Sequence, residues 1–295
     1  MAPRTLAPRQ RAELHVVDVA TGVSTLVHSS DSLLFEAPNW TPDGADLVIN
    51  GDGRLFRLPA TGGEPAEVPL GGVPEINNDH VLHPAGTSVF VSAEDGHLYE
   101  VPFATGVARR VSNDHGPGFR YYLHGISPDG TLLAYIGLQA GSDGSVTTQV
   151  YTIPADGGED IQLTDAPFPH DGSEFSPDGQ WIYFNSERGS RTPGHAQLFR
   201  MRADGSGVEQ LTFDERVNWF PHPSPDGTRI AYISFPPGTL GHPADKDVYV
   251  RLIEADGTTR DLAHLPVGGQ GTINVGSWAP DGTRLAYVAY PIGED

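Results

Sequence analysis

Apolar residues recur along the chain in short runs broken by Gly and Pro, as in QWIYFNSE (180–187), TRIAYISF (228–235) and TRLAYVAY (283–290). Runs this short, bounded by turn residues, predict β-strands rather than helices. Each of the three follows a Pro-Asp-Gly turn. The turn recurs six times, as TPDG (41–44), HPAG (83–86), SPDG (127–130), SPDG (176–179), SPDG (224–227) and APDG (279–282). Its prolines at 42, 84, 128, 177, 225 and 280 are spaced by 42, 44, 49, 48 and 55 residues, close to the period of a four-stranded propeller blade.

A second turn lies within each interval: ATGV (20–23), ATGG (60–63), ATGV (104–107), ADGG (155–158), ADGS (203–206) and ADGT (255–258). Gly after Asp or Thr supplies the positive φ of a tight hairpin, for example within QLFRMRADGSGVEQL. Each unit therefore reads as strand a, PDG turn, strand b, a longer connection, strand c, ADG turn and strand d. The last unit stops after strand b, whereas the first ATG turn precedes every PDG turn. Residues about 12 to 29 are thus expected to pair beside 283 to 290 and close the ring, which removes an exposed edge. The predicted fold is all-β: a single six-bladed β-propeller domain over 1–295, of four-stranded antiparallel blades, with 1–11 as a disordered tail.

Composition narrows the partners. With 38 acidic against 18 basic residues, a formal charge of −20 opposes binding to nucleic acid or to an anionic membrane surface. The chain contains no Cys, which excludes disulfides and thiolate zinc sites. No apolar run is long enough to span a membrane. MAPRTLAPRQRAEL lacks the apolar core of a secretory signal, so a cytoplasmic location is expected, or a periplasmic one if a leader has been removed.

The pattern x-W-[ST]-P-D-G-x-x-[IL]-[AV]-[YF] resembles the PD40 (WD40-like) repeat of TolB-type six-bladed propellers, over nearly the whole chain. INNDHVLHP, YYLHGISPDG, HDGSEFSPDGQWIYFNSERG, NWFPHPSPDG, GHPADKDV and GGQGTINV are similar to stretches of bacterial TolB-like proteins labelled as biopolymer-transport proteins. Neither the signal peptide nor the separate α/β domain of secreted TolB is expected within residues 1–295, a departure from that protein.

Alternating chain direction puts all PDG and ADG turns on one face of the disc and every irregular polar connection on the other, where function usually sits. Strand a lines the axis. Counted back from the turn, His80 and His124 share a column, Glu174 and His222 share the next, and His170 lies just outside. His80, His124 and His222 are therefore candidate ligands of a divalent metal such as zinc, manganese, nickel, iron or calcium. The general layout resembles the axial histidines of oligogalacturonate lyases, related propellers that hold a metal, without a residue-for-residue motif. The plainer alternative is that a histidine at a blade start donates to a neighbouring blade's carbonyl. His83, which replaces the turn Ser, is expected to cap its turn.

Candidate catalytic residues are His124, Glu174 and His222, as acid, base or electrophile. Candidate ligand contacts are Asn78, His80, Arg120, Tyr121, His170, Asp171 and Asn218, with Arg188, His242 and Lys246 reaching in from the longer connections 185–197 and 234–248. His195 shares the first of these connections. No GxSxG elbow, Walker loop, HExxH or dinucleotide fingerprint occurs, so no nucleotide or organic cofactor is indicated. Two functions fit: an axial site for a small oxygen-rich ligand, plausibly a carbohydrate, with metal-assisted lyase or hydrolase chemistry as its extension; or a non-enzymatic scaffold that holds a protein partner. A stand-alone relative of the propeller that gates prolyl oligopeptidases is a third, weaker fit.

Overall fold

The structure, a computed structural model, describes residues 4–293. Six antiparallel sheets form the six blades, and among the described residues no helix is long and apolar enough to cross a membrane. Five sheets have four strands in the order a-b-c-d. Their innermost strands are Phe35–Trp40, Ile76–Leu82, Phe119–Ile126, His170–Phe175 and Val217–Pro223.

The sixth blade is assembled from both ends of the chain. Ala12–Asp18 lies between Ser24–Ser30 and Arg284–Ala289, with Glu13 opposite Ala289 and Asp18 opposite Arg284. Its innermost position is taken by the irregular stretch 271–279, which meets the sheet through the Trp278–Leu285 bridge. The closure expected from the two incomplete repeat units is the closure observed. Of the disordered tail expected over 1–11, residues 1–3 lie outside the described residues, while 4–11 pack on the ring: Gln10 is buried, bridges Ile292 and donates to the Tyr290 carbonyl. Apolar burial accounts for this, because Leu6 packs on the closing core, the cluster that includes Tyr290.

Burial falls from the middle of each blade outwards. Strand b is closed in on both faces, as in Ser88–Ala93 and Ile230–Phe235, while the outer edges of blades two and four are the two-residue strands Arg109–Arg110 and Glu209–Gln210. Short charged edges resist pairing with another chain.

The repeated turn has a repeated mechanism. In SPDG the Ser hydroxyl donates to the Asp carboxylate, at 2.6 Å for Ser224 and Asp226, and accepts from a backbone N–H five residues on, at 2.9 Å for Arg229. The Ser224 bond and then those from Thr228 hold the Asp226 carboxyl down at about 2. His83 stands in for this Ser by accepting the Ala85 N–H on Nδ1, as expected. Glycine supplies the left-handed φ near +70° that each turn requires, and the turns lie in ordinary contact with the preceding ones, Gly44 against Pro280 and Gly179 against Pro128.

The inner strands depart from ideal pairing at the axis. Registers slip between Glu36 and Asn39, Ile76 and His80, Leu123 and Gly125, Asp171 and Glu174, and Trp219 and His222. These are β-bulges, which re-aim the side chains beside them. Ala37 and Phe220 adopt φ of 52° and 54° there, and Gly172 takes φ of 67°.

Candidate functional site

On the face of irregular connections the axis opens into a cavity of about 680 Å³. Its wall takes one residue from the start of each inner strand: Glu36, Asn78, Tyr122, Asp171 and Asn274, with Phe220 substituting in blade five through its bulge. Hairpin residues Asn50, Asp52, Glu94 and His242 rise around them, and Gln270 and Arg4 complete the rim.

His124 is the centre of this arrangement. Its Nε2 donates to Asp171 of blade four at 2.9 Å, and its Nδ1 donates at 3.2 Å to the carbonyl of Asn274, in the sixth blade directly across the ring. Burial works against a charge on the ring, but Asp79 and then Asp171 outweigh it and raise the imidazole to about 9. Both nitrogens face acceptors, which agrees with an imidazolium. Burial also opposes the Asp171 charge, yet the His124 bond keeps that carboxyl below its usual range. Asp79 differs: burial pushes it up to about 7, with the His124 charge pulling down and Asp171 pushing up again. A carboxyl in a cavity wall that exchanges its proton near neutrality, beside a fixed cation, is a functional-site signature.

A second, smaller cavity of about 250 Å³ opens on the turn face, lined by Trp40, Trp278, Glu174 and the turn prolines. His124 lines both cavities and so stands between them. Glu174 belongs to this lower space, where it accepts from His222 Nδ1 at 2.6 Å. The other ring nitrogen of His222 donates to the Ile273 carbonyl at 2.5 Å, and its own carbonyl accepts from Trp278. His222 thereby ties blades four, five and six together. His222 makes the plainer bond expected of a blade-start histidine, to a neighbouring blade's carbonyl, whereas His124 reaches a carbonyl across the ring instead.

The metal set does not assemble. Among the described residues no group of three or more His, Asp or Glu side chains is placed to hold a metal ion. Both ring nitrogens of His124 and of His222 are already engaged by partners within the fold, which leaves neither ring turned towards a shared ion. His80 lines neither cavity; burial lowers it to about 4, against weak support from the backbone of Val48 and Asn78. The column that paired His80 with His124 fails because their bulges lie at different places.

Of the other candidates, Asn78, Arg120, Asp171 and His242 line the cavity. Arg120 is held by Glu94, and His242 packs on Trp219 and Phe220 while contacting Gln270 and Asp171. Tyr121 points away, donating to Asp160 at 3.1 Å. His170 is buried against Thr148 and Phe184, and Asn218 is fixed by Asp214 and Ser234. Arg188 and Lys246 are exposed outside the cavity wall, and His195 bonds the Asp214 carbonyl within its loop. Asp79, Glu36, Tyr122 and Asn274 were missed as site residues although five of the six wall positions, all but Phe220, fall in one column, five residues before the turn; that column was the available signal. Nothing local marks Arg4.

The TolB beta propeller domain family (PD40) matches residues 127–248. An uncharacterized protein of Agrobacterium fabrum is 38% identical over 285 residues, covering 95% of this chain and 92% of that protein. A solved structure of a provisionally named TolB from Agrobacterium tumefaciens superposes with a TM-score of 0.86 at 38% identity, over 96% of this chain and 99% of the other. An oligogalacturonate lyase in complex with manganese shares the fold alone, with 15% identity, a TM-score of 0.59, and coverage of 85% and 72%.

Proposed function

This chain belongs to the family of TolB-like six-bladed propellers, and from that premise we propose that its axial cavity receives a small, neutral, hydroxyl-rich ligand, of which a carbohydrate is the foremost class. Fold does not choose among functions, so the reading rests on the cavity. The observation that carries it is the unsatisfied wall: the buried amide nitrogen of Asn78 and the buried amide oxygen of Asn50 have no partner. Each such group costs about 1–3 kcal/mol unless a ligand or water satisfies it. Hydroxyls both donate and accept, which suits a wall that offers one of each. The volume falls in the range of small-molecule sites.

Charge sets the class further. Five carboxylates, Glu36, Asp52, Asp79, Glu94 and Asp171, line the space, and the two arginines there are already committed to Glu36 and Glu94. An acidic sugar would meet no free cation except His124, itself flanked by acids. If the bound ligand reacts, Asp79 is the group suited to give or take its proton near pH 7, with His124 as the adjacent fixed charge. Titration calorimetry with neutral and acidic oligosaccharides tests this. Wild type should bind neutral ones, and Asn78→Ala should weaken them about tenfold, the loss of one buried hydrogen bond. Preference for acidic sugars, or equal binding by the variant, would refute the reading. Capture of a protein partner by both forms without any sugar response would favour the scaffold alternative.

A further inference from the structure

One wall of the cavity already holds a ligand-like group from the chain itself. The guanidinium of Arg4 lies 4.0 Å above the ring centroid of Tyr290. One of its terminal nitrogens donates both to Glu36 Oε1 at 3.1 Å and to the Gln270 carbonyl at 2.8 Å; the other reaches Asp245 at 3.0 Å. An aromatic face below and acceptors along two edges is the arrangement that selects a planar guanidinium. Gly271 keeps the space open: a Cβ there would stand 2.5 Å from the Glu36 carboxylate and 2.3 Å from the Tyr290 hydroxyl.

The segment that delivers Arg4 meets the ring at separate points, with Leu6 packed on the closing core and the Arg9 carbonyl accepting the Gly293 N–H. Thr5, Ala7, Pro8 and Arg9 are exposed, and the first buried residue is Gln10. Among the described residues, no backbone-to-backbone hydrogen bond ties residues 4–6 to the ring. Glu36 lies on the inner strand of blade one and Gln270 immediately before the inner stretch of blade six, whereas Asp245 belongs to the long connection of blade five and the cation itself comes on an arm.

We propose that Tyr290, Glu36 and the Gln270 carbonyl form a cation subsite of the axial cavity, filled by Arg4 when no ligand is present, and that a ligand bearing a guanidinium group displaces it. The inference rests on the reading of the cavity as a ligand site and adds, beside the neutral ligands, a separate class that carries a guanidinium. Arg4 then acts as a tethered competitor, which lowers the affinity for such a ligand by the fraction of time the arm is in place.

Agmatine, an alkylguanidine, is the probe, titrated into wild type, Arg4→Ala and the double variant Arg4→Ala with Glu36→Gln. Arg4→Ala should bind agmatine at least tenfold more tightly than wild type, and the double variant should lose that gain. Equal affinity in wild type and Arg4→Ala, or a gain that survives Glu36→Gln, overturns the subsite. Should Arg4→Ala fold poorly, amide exchange in wild type decides: saturating agmatine should speed exchange in residues 5–9, and unchanged exchange refutes displacement. Failure with agmatine while neutral sugars still bind removes the subsite alone; failure with sugars while agmatine binds removes the hydroxyl-rich reading alone.

Discussion

Raising pH from 6 to 9.5 should destabilise the protein through one side chain, His124. Its folded-state value is raised from 6.5 to about 9, so its contribution is fully present below pH 6.5 and is lost as pH climbs through 9. At roughly 1.4 kcal/mol for each factor of ten, the loss is at most about 3 kcal/mol, a ceiling because Asp79 and Asp171 share the same charge. Asp79 adds in the same direction at lower pH: its raised value makes folding weaken as pH rises from 3.8 towards 7. Urea midpoints at pH 6, 7.5 and 9.5 should fall steadily in wild type. In His124→Gln, which retains a donor to Asp171, the fall between pH 7.5 and 9.5 should largely vanish. Parallel curves for the two proteins over that window, or a ring nitrogen resonance of His124 titrating near 6.5, would refute a charged His124 between the two cavities.

Two further outcomes separate fold from site. His222→Ala removes both the Glu174 pair and the Ile273 contact, and should cost about 3 kcal/mol in urea denaturation, as broken buried pairs do, while leaving sugar affinity in the upper cavity unchanged. Unaltered stability, or lost sugar binding, would contradict its placement. Removing residues 1–30 strips Leu14 and Val17 from the core, at about 2 kcal/mol each, and bares the strand Arg284–Ala289 as a free edge. Cooperative melting should collapse and size-exclusion profiles should show aggregates; a truncated chain that stays monomeric and melts sharply would show that another contact closes the ring.

The periodic part of this molecule was legible in the sequence because turn chemistry is local. Ser, Pro, Asp and Gly act within six residues, so the six turns, the strand order and the pairing of Ala12–Asp18 with Arg284–Ala289 could be read without a structure. Which inner-strand side chain meets the axis is a question of register, and bulges at Ala37, Gly172 and Phe220 shift it by one residue without a fixed sequence mark. That is why His124 and Asp171 were found while Asp79 was passed over for its neighbour His80. Arg188 and Lys246 failed for a different reason: the length of their connections says nothing about which way the loop leans. Arg4 meets Glu36 and Gln270 across 32 and 266 residues of sequence, a contact that exists only once the ring is closed.

A propeller is often pictured as a tube, but His124 bridges blades three and six and separates the two axial spaces. The upper chamber is consequently a room with one door. Whatever enters must leave against the direction of entry, so binding and release share a single path, and a second molecule waiting at the mouth obstructs the departure of the first. Exit rates should therefore fall at high ligand concentration, a kinetic behaviour that a ring open from face to face would not show.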